Sequence, residues 1–194
     1  MTVLIATKNR NKQREIKKIL AKNKHKIVYA DDVNLTKDVD EIGDTFAENA
    51  RIKAKAAADF TGLVAAGDDS GLSVNVLNGE PGVNSRRWQP GSDQDRCQAL
   101  LKKMHGHNDR SAVFTTVICL YNPKSTQEIY FSGEIVGTIT KKPQGNGGFG
   151  YDSIFVPEGM KRTFAELAIS EKNRLSGRGR AFHKLYEYLE SQSL

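Results

Sequence analysis

The sequence predicts an α/β protein, because short apolar runs typical of strands alternate along the chain with segments that have helical spacing. Residues 3–5 form one such run, which is followed by a polar turn and an amphipathic segment. Residues 63–66 form a second run without charge, which indicates a buried strand. Residues 110–121 and 127–139 are β-branched or alternating and are separated by a short turn with a proline, which predicts a hairpin.

The helices are predicted from apolar spacing and from the residues at their ends. The first helix has one apolar face, formed by Ile16, Ile19 and Leu20. Residues 25–30 predict the second strand. The next helix spans the Ala-rich residues 46–60, after a capping-box pattern at residues 45–48 and before Gly62. Residues 92–104 predict a further helix, and the last helix has an apolar face formed by Phe182, Leu185, Tyr186 and Leu189.

The composition is that of an ordinary globular chain. Its 194 residues are enough for one generous domain or for two tight lobes. With 38% hydrophobic and 27% charged residues, we expect a soluble protein, and no run approaches the roughly 18 apolar residues of a membrane span. The first residues enter a strand-like run without a basic leader, so we expect no secretion signal. Cys97 and Cys119 are isolated, which favours a reduced cytoplasmic protein.

The net charge of +6 results from 29 basic and 23 acidic residues. Such an excess suits either nucleic acid or a small polyanion. The basic residues are spread over the predicted helices, with concentrations at residues 8–18 and 172–180, and no RNA-binding aromatic signature, zinc finger or helix-turn-helix accompanies them. The sequence therefore favours a focused phosphate-binding pocket over a nucleic-acid face.

Two adjacent carboxylates follow a predicted buried strand. The apolar run of residues 63–66 breaks at Gly67 into Asp68 and Asp69, and alternation resumes at residues 72–76 as a second, half-buried strand. Because buried acids are costly unless they are solvated, paired or metal-bound, the pair suggests a site for a hard cation that substrate phosphates complete. Asp-Ser-Gly is also good turn chemistry, so turn-forming acids are an equal alternative.

A polar turn at residues 6–12 lies between the first strand and the first helix. This arrangement presents free backbone N–H groups and the positive end of the helix dipole to an anion. Lys8 and Lys12 bracket the turn, and Thr7 and Asn9 supply hydrogen-bond donors between them. The turn lacks the glycines of a Walker loop, and a capped, solvated helix start is the alternative.

Two other charged segments are candidates for ligand contact. Glu41 lies in an acidic loop outside the helix of residues 46–60, so capping does not explain it, and it is either a solvated acid or a metal ligand. Residues 170–180 combine basic residues with two glycines, which suggests either anion contact or a solvated helix start.

Residues 145–150 match the pattern G-x-G-x-x-G, but a dinucleotide fingerprint must follow a strand and open a helix. Here the motif leads into residues 151–157, which are β-branched and aromatic and end in proline, so we reject a Rossmann fold. The remaining interpretation is a glycine-rich loop that exposes Phe149 and Tyr151 for stacking on a flat base. A glycine turn with core aromatic residues is the alternative.

Taken in this order, the segments closely resemble the inosine triphosphate pyrophosphatase family over nearly the whole chain. Any one motif is weak, but six in order are highly specific. The motifs are Thr7-Lys8-Asn9 through Lys12, residues 44–50, 68–72, 79–82 and 147–152, and Glu171-Lys172-Asn173 with Ser176 and Arg178.

This resemblance implies the fold, the reaction and the assembly. Members hydrolyse non-standard purine nucleoside triphosphates such as ITP, XTP and dITP to the monophosphate and pyrophosphate, with Mg²⁺. The family fold is an elongated mixed sheet with flanking helices, here a single domain of residues 1–194 with two lobes around a central cleft. The family also implies a homodimer in the cytoplasm whose partner is the small-molecule substrate, with no nucleic acid and no membrane.

The resemblance also implies a role for each matching residue. Asp69 would bind magnesium together with Glu41 and would orient or deprotonate the attacking water, and Phe149 would stack on the base. The triphosphate would be bound by Ser70 and by the N-terminal turn, with Thr7, Lys8, Asn9, Arg10, Asn11 and Lys12. The rest of the nucleotide, including the edge of the base, would be held by Gly150, Tyr151, Asp152, Lys172, Gly177 and Arg178.

One departure concerns the choice of base. The family normally has Ser-His-Arg where this chain has Ser176-Gly177-Arg178. The missing imidazole removes a contact to base or sugar. Either a neighbour such as His183 compensates, or discrimination between 6-oxo and 6-amino purines is relaxed.

Two rival classes fit the sequence less well. A non-enzymatic nucleotide or RNA-binding protein has no need for Asp69 with Glu41. An enzyme of the related septum-formation inhibitor group would favour modified pyrimidine nucleotides, and the Phe149 loop and the Lys172 segment argue against it.

Overall fold

The computed structural model of the protein describes residues 1–35 and 39–192. Within these residues the strands are β1 Thr2–Ile5, β2 Lys26–Tyr29, β3 Val64–Val74, β4 Ser111–Asn122, β5 Gln127–Ile139 and β6 Phe155–Pro157. The helices are α1 Arg10–Ile19, α2 Phe46–Thr61, α3 Asp93–Lys103, α4 Ile169–Leu175 and α5 Gly177–Ser191. The strand order is β2-β1-β3-β4-β5-β6, with β1 parallel to β2 and β3, and β5 antiparallel to β6. The predicted α/β class with a mixed sheet is confirmed.

The chain divides into two compact units, of which the first comprises the described parts of residues 1–69, 116–133 and 178–194. Its core has two layers, because successive strand residues point to opposite faces of the sheet. Ala66 packs with α1 and α5 on one face, and Ala65 packs with α2 on the other. No helix within the described residues is long and apolar enough to span a membrane.

Helix α2 lies unusually close to β3 because it presents alanines to the sheet. The buried positions of this face include Ala50, Ala54, Ala57 and Ala58, whose short side chains allow a close approach to the strand. A Cβ atom placed on Gly67 would lie 2.4 Å from the carbonyl oxygen of Ala50. Gly67 is therefore required by this close packing and does not break the strand.

The second unit comprises residues 70–115 and 134–177. Its core includes Leu72 of β3, Leu100 of α3 and the aromatic residues Phe155 and Phe164. The rings of Phe114 and Phe155 meet edge to face, with centroids 4.8 Å apart. This unit holds the glycine-rich loop.

Helix ends follow the signals in the sequence. Thr45 and Glu48 form the predicted capping box of α2, which ends at Gly62 in the left-handed conformation with φ 70°. Ser92 accepts a hydrogen bond from the N–H of Asp95 at the start of α3. Local signals of this kind are independent of distant contacts, so they can be predicted from a few residues.

Three predicted elements are wrong in part. β3 is one continuous strand, so residues 63–66 and 72–76 are not two strands, and Asp68 and Asp69 lie in no turn. Residues 152–154 form a 3-10 turn, and only Phe155–Pro157 form a strand. The last helix already begins at Gly177, because α4 ends with Ser176 as its C-cap.

Candidate active site

Asp68 and Asp69 lie in the middle of β3, and their side chains point to opposite faces of the sheet. Asp68 shares the face of Ala66, which packs with α1 and α5, whereas Asp69 shares the face of Ala65, which packs with α2. Only 2% of Asp68 and 5% of Asp69 is exposed. The two acids therefore have different partners, because neighbouring residues of a strand face opposite sides of the sheet.

Asp68 is paired with cations from two helices. Lys12 Nζ of α1 donates to Asp68 Oδ2 at 2.7 Å, and Arg178 Nε of α5 lies 4.0 Å from the same oxygen. Arg178 Nη1 also donates to Glu15 Oε2 at 2.5 Å. Burial alone would raise the pKa of Asp68, but Lys12, Arg178 and Lys53 outweigh it and lower the pKa to about 2. Asp68 is thus an ionised anchor that holds two cations in fixed positions.

Asp69, Glu41 and Lys53 of α2 form a second cluster of charged side chains. Lys53 Nζ lies 2.7 Å from Asp69 Oδ1, 2.7 Å from Glu41 Oε1 and 3.0 Å from the carbonyl oxygen of Asp68. Burial alone would lower the pKa of Lys53, but Asp69, Asp68 and Glu41 raise it. Burial raises the pKa of Asp69, and Glu41 adds to this effect against the opposing charge of Lys53. Oxygen atoms of Asp69, Glu41 and Asp68 thus surround the position of Lys53 Nζ, where a positive charge is stabilised.

Asp69 and Glu41 would supply two carboxylates to a magnesium ion, as part of a larger shell that other ligands complete. Asp69 Oδ2 is buried and has no hydrogen-bond partner among the described residues, so one carboxylate oxygen is available to a ligand or a water. Within the same residues, no group of three or more His, Cys, Asp or Glu side chains could hold a metal. Asp69 and Glu41 would therefore need oxygens from substrate and water, as Mg²⁺ sites commonly use.

Several groups of the N-terminal turn are hydrogen-bonded to one another. Asn9 is the N-cap of α1, and its Oδ1 accepts hydrogen bonds from the N–H groups of Asn11 and Lys12 at 2.9 and 3.2 Å. Thr7 Oγ1 likewise accepts from the N–H of Asn9. The N–H groups of Asn9, Asn11 and Lys12 are therefore bound within the turn. The hydroxyl of Thr7 and the amide nitrogen of Asn9 are still able to donate, so phosphate binding by this turn stays a prediction. Lys12 is the residue of this turn that pairs with Asp68. Lys8 is half-buried and Arg10 is exposed.

In the second unit, the glycine-rich loop places an aromatic ring beside a buried ion pair. Lys172 Nζ of α4 donates to Asp152 Oδ2, and it lies 4.7 Å from the centroid of the Phe149 ring. Asp152 Oδ2 also accepts from the N–H of Phe149 at 2.8 Å. Three residues that were predicted as site residues are therefore brought together.

Tyr151 is not an exposed ring, contrary to our expectation. It is 3% exposed, and its hydroxyl donates to the carbonyl oxygen of Ser85 at 2.9 Å. The alternative of a core aromatic residue is thus correct for Tyr151, while Phe149 is half-buried. Ser70 follows Asp69 in β3 and is also half-buried.

Sequence reasoning missed Lys53 and Glu15, although a signal existed for each. Lys53 follows Ala50 by three residues, so it lies on the alanine face of α2, where a cation requires a buried partner. Glu15 follows Lys12 by three residues and therefore shares its face of α1. Glu15 is only 4% exposed, and its carboxylate holds Arg178.

The fold and these residues define an α/β protein whose buried carboxylates are paired with lysine and arginine side chains. The Ham1 family model matches residues 3–188. The chain belongs to the Ham1 family, and the resemblance inferred from its motifs is confirmed.

Similar proteins cover almost the whole chain. It is 47% identical over 189 residues to a dITP/XTP pyrophosphatase of Symbiobacterium thermophilum, covering 96% of this chain and 94% of that protein. It is 46% identical to a dITP/XTP pyrophosphatase of Streptomyces coelicolor, covering 94% of each chain. A solved HAM1 protein from Coxiella burnetii has a TM-score of 0.90 at 37% identity, over 99% of this chain and all of that chain.

Proposed function

We propose that the protein hydrolyses non-standard purine nucleoside triphosphates such as ITP, dITP and XTP to the nucleoside monophosphate and pyrophosphate. The observation that supports this most strongly concerns Asp69, which is paired with Lys53 near Glu41. Its second carboxylate oxygen is buried and has no hydrogen-bond partner within residues 1–35 and 39–192. An unsatisfied buried acceptor lowers stability, so we expect this oxygen to bind a water or a metal ion when the substrate is present. The names of the relatives agree with this reaction.

The cations of the first unit would bind the phosphates. Lys12 and Arg178 are held by Asp68 and Glu15, so they meet a phosphate with little loss of side-chain freedom. Hydrogen bonds from fixed cations to phosphate oxygens are charge-assisted and stabilise negative charge as it develops on the leaving pyrophosphate.

Asp69 would be the general base. In this scheme a water attacks the α-phosphorus, its proton passes to Asp69 Oδ2, and the bond from the α-phosphorus to the bridging oxygen of pyrophosphate breaks. A raised pKa suits this role because it makes the carboxylate a better proton acceptor. Glu41 and Asp69 would hold the magnesium ion, which when bound supplies charge neutralisation for the phosphates.

The base would be recognised in the second unit. Phe149 would stack on the purine, and Asp152 and Lys172 would make hydrogen bonds to its edge. The pair is almost fully buried, so a base with a mismatched edge would leave a polar group without a partner. The homodimer and the cytoplasmic location implied by the family stay predictions.

The proposal is tested by a substrate panel. Pyrophosphate release is measured with ITP, XTP, dITP, GTP, ATP and a modified pyrimidine triphosphate under identical conditions. We expect kcat/KM to be highest for ITP, XTP and dITP. A preference for the pyrimidine nucleotide would favour the septum-formation inhibitor class, and no release from any of them would favour a binding protein.

Removal of magnesium is expected to abolish most of the activity. Charge neutralisation by a metal contributes several kcal/mol, so chelation with EDTA should lower kcat by about 100-fold. Readdition of Mg²⁺ should restore the rate, whereas K⁺ at equal ionic strength should not. A binding signal that does not depend on turnover is a rise in Tm with Mg²⁺. Full activity in EDTA with no change in Tm would contradict the metal site.

Gly177→His is expected to widen the ITP-to-ATP ratio of kcat/KM by about tenfold, because a further polar partner for the 6-oxo edge contributes about 1–3 kcal/mol. The matched control is His183→Ala. His183 is exposed and its Nδ1 donates to the carbonyl oxygen of Gly179 in its own helix, so its removal should leave the ratio unchanged. If Gly177→His does not move the ratio, position 177 does not recognise the base.

A further inference from the structure

We propose that Asp93, together with Cys97, is a positioning residue that fixes the glycine-rich loop for base binding. This inference rests on the proposed role of Phe149 in stacking on the base. Asp93 itself needs no contact with the nucleotide, since it acts through the backbone of Gly150.

The contacts come from one face of α3. Asp93 and Cys97 are four residues apart, so their side chains are neighbours on the helix surface. Asp93 Oδ2 accepts a hydrogen bond from the N–H of Gly150 at 2.6 Å, and Cys97 Sγ donates to the carbonyl oxygen of Gly150 at 3.3 Å. Both polar backbone groups of Gly150 are thus bound by side chains of the same helix.

The carboxylate of Asp93 is itself held in place. Its other oxygen, Oδ1, accepts from Arg96 Nη2 at 2.5 Å, and Arg96 Nη1 donates to the carbonyl oxygen of Gly91 at 2.8 Å. A carboxylate fixed at both oxygens offers a defined acceptor to the loop.

Gly150 has open space on the side where a side chain would lie, so among the described residues no packing contact holds it from that side. It has φ +62°, a conformation that glycine leaves easily, and a Cβ placed on it would meet no atom within 4 Å. Its neighbours are fixed by other means, Phe149 by Asp152 and Tyr151 by Ser85. The two hydrogen bonds from α3 therefore set the backbone between them, and with it the direction of the Phe149 ring.

Asp93 does not belong to the capping box that begins its helix. The N-cap of α3 is Ser92, and the carboxylate that completes its capping box is that of Asp95. Asp95 makes no contact with Gly150, so Asp95→Ala removes an acid from the same first turn without touching the loop. It is the matched control for Asp93→Ala.

The test compares Asp93→Ala with Asp95→Ala in steady-state hydrolysis of ITP, with Tm as the check on folding. We expect Asp93→Ala to raise KM for ITP about tenfold and to leave kcat within about twofold, because a mobile loop weakens ground-state and transition-state binding alike. Inhibition by pyrophosphate, which has no base, should be unchanged. Asp95→Ala should lower Tm without this change in KM.

A second pair of variants keeps the test independent of any folding defect in Asp93→Ala. Cys97→Ala should raise KM for ITP, and Cys97→Ser, which keeps a donor for the Gly150 carbonyl, should not. If neither Asp93→Ala nor Cys97→Ala raises KM, or if pyrophosphate inhibition weakens equally, the positioning role is wrong.

Phe149→Ala separates two possible errors. One is the positioning role of Asp93 and Cys97, and the other is the proposed binding of the base by Phe149. If Phe149→Ala raises KM for ITP while Asp93→Ala does not, the loop binds the base but α3 does not position it. If Phe149→Ala also leaves KM unchanged, the role of the loop in base binding is itself wrong.

Discussion

Asp69→Asn is expected to lower kcat for ITP by about 10²–10⁴-fold, the usual range for loss of a general base. The amide keeps the shape of the side chain but cannot accept a proton, and it removes a charge that would hold magnesium. Because Lys53 retains Glu41 and the carbonyl oxygen of Asp68 as partners, we expect a folded protein. The measurement is pyrophosphate release at saturating ITP and Mg²⁺.

The control for Asp69→Asn is Asp59→Asn, an exposed acid of α2 that pairs only with Lys55 among the described residues. Its kcat should equal that of the wild type. Near-normal turnover of Asp69→Asn at saturating Mg²⁺ would show that Asp69 is not the general base.

Lys53→Met is expected to lower the free energy of unfolding by about 3–5 kcal/mol, because it leaves buried carboxylates without their cation. For a chain of this size that corresponds to a fall in Tm of roughly 10 °C. Lys53 is mostly buried and lies within 3.0 Å of three oxygens, whereas methionine fills a similar volume without charge. Urea denaturation without magnesium measures the change.

The matched control is Lys55→Met, two residues along the same helix. Lys55 pairs with Asp59 at the surface, where ion pairs contribute about 0–1 kcal/mol, so its removal should change stability little. Mg²⁺ should stabilise Lys53→Met more than the wild type, since it can replace the lost charge between Glu41 and Asp69. Equal stability of the two variants would contradict a structural cation at position 53.

The parts of the fold that could be predicted from the sequence depend on neighbouring residues. The capping box of Thr45 and Glu48 and the Gly62 helix end involve residues within a single turn, so their pattern is visible in the chain. The G-x-G-x-x-G motif is not followed by an α-helix, as its context predicts, because residues 152–154 form a 3-10 turn.

The errors arise where distant residues decide the structure. Asp68 and Asp69 have the composition of a turn, yet they lie in a strand because Lys12, 56 positions away, and Lys53 on α2 neutralise them. Tyr151 is buried, and its hydroxyl donates a hydrogen bond to the carbonyl oxygen of Ser85, which is 66 positions away in the chain. No local pattern contains these partners. The sequence alone could therefore identify the two acids as candidates but could not distinguish turn from strand.

Product analysis in ¹⁸O-labelled water tests pyrophosphate release most directly. ITP is hydrolysed by the wild type and by Asp69→Asn, and the phosphorus products are identified by ³¹P NMR and mass spectrometry. We predict IMP and pyrophosphate in equal amounts from the wild type, with the label in IMP, and almost no product from Asp69→Asn. Formation of IDP and phosphate, or of label in pyrophosphate, would show that water does not attack the α-phosphorus and would contradict the proposed reaction.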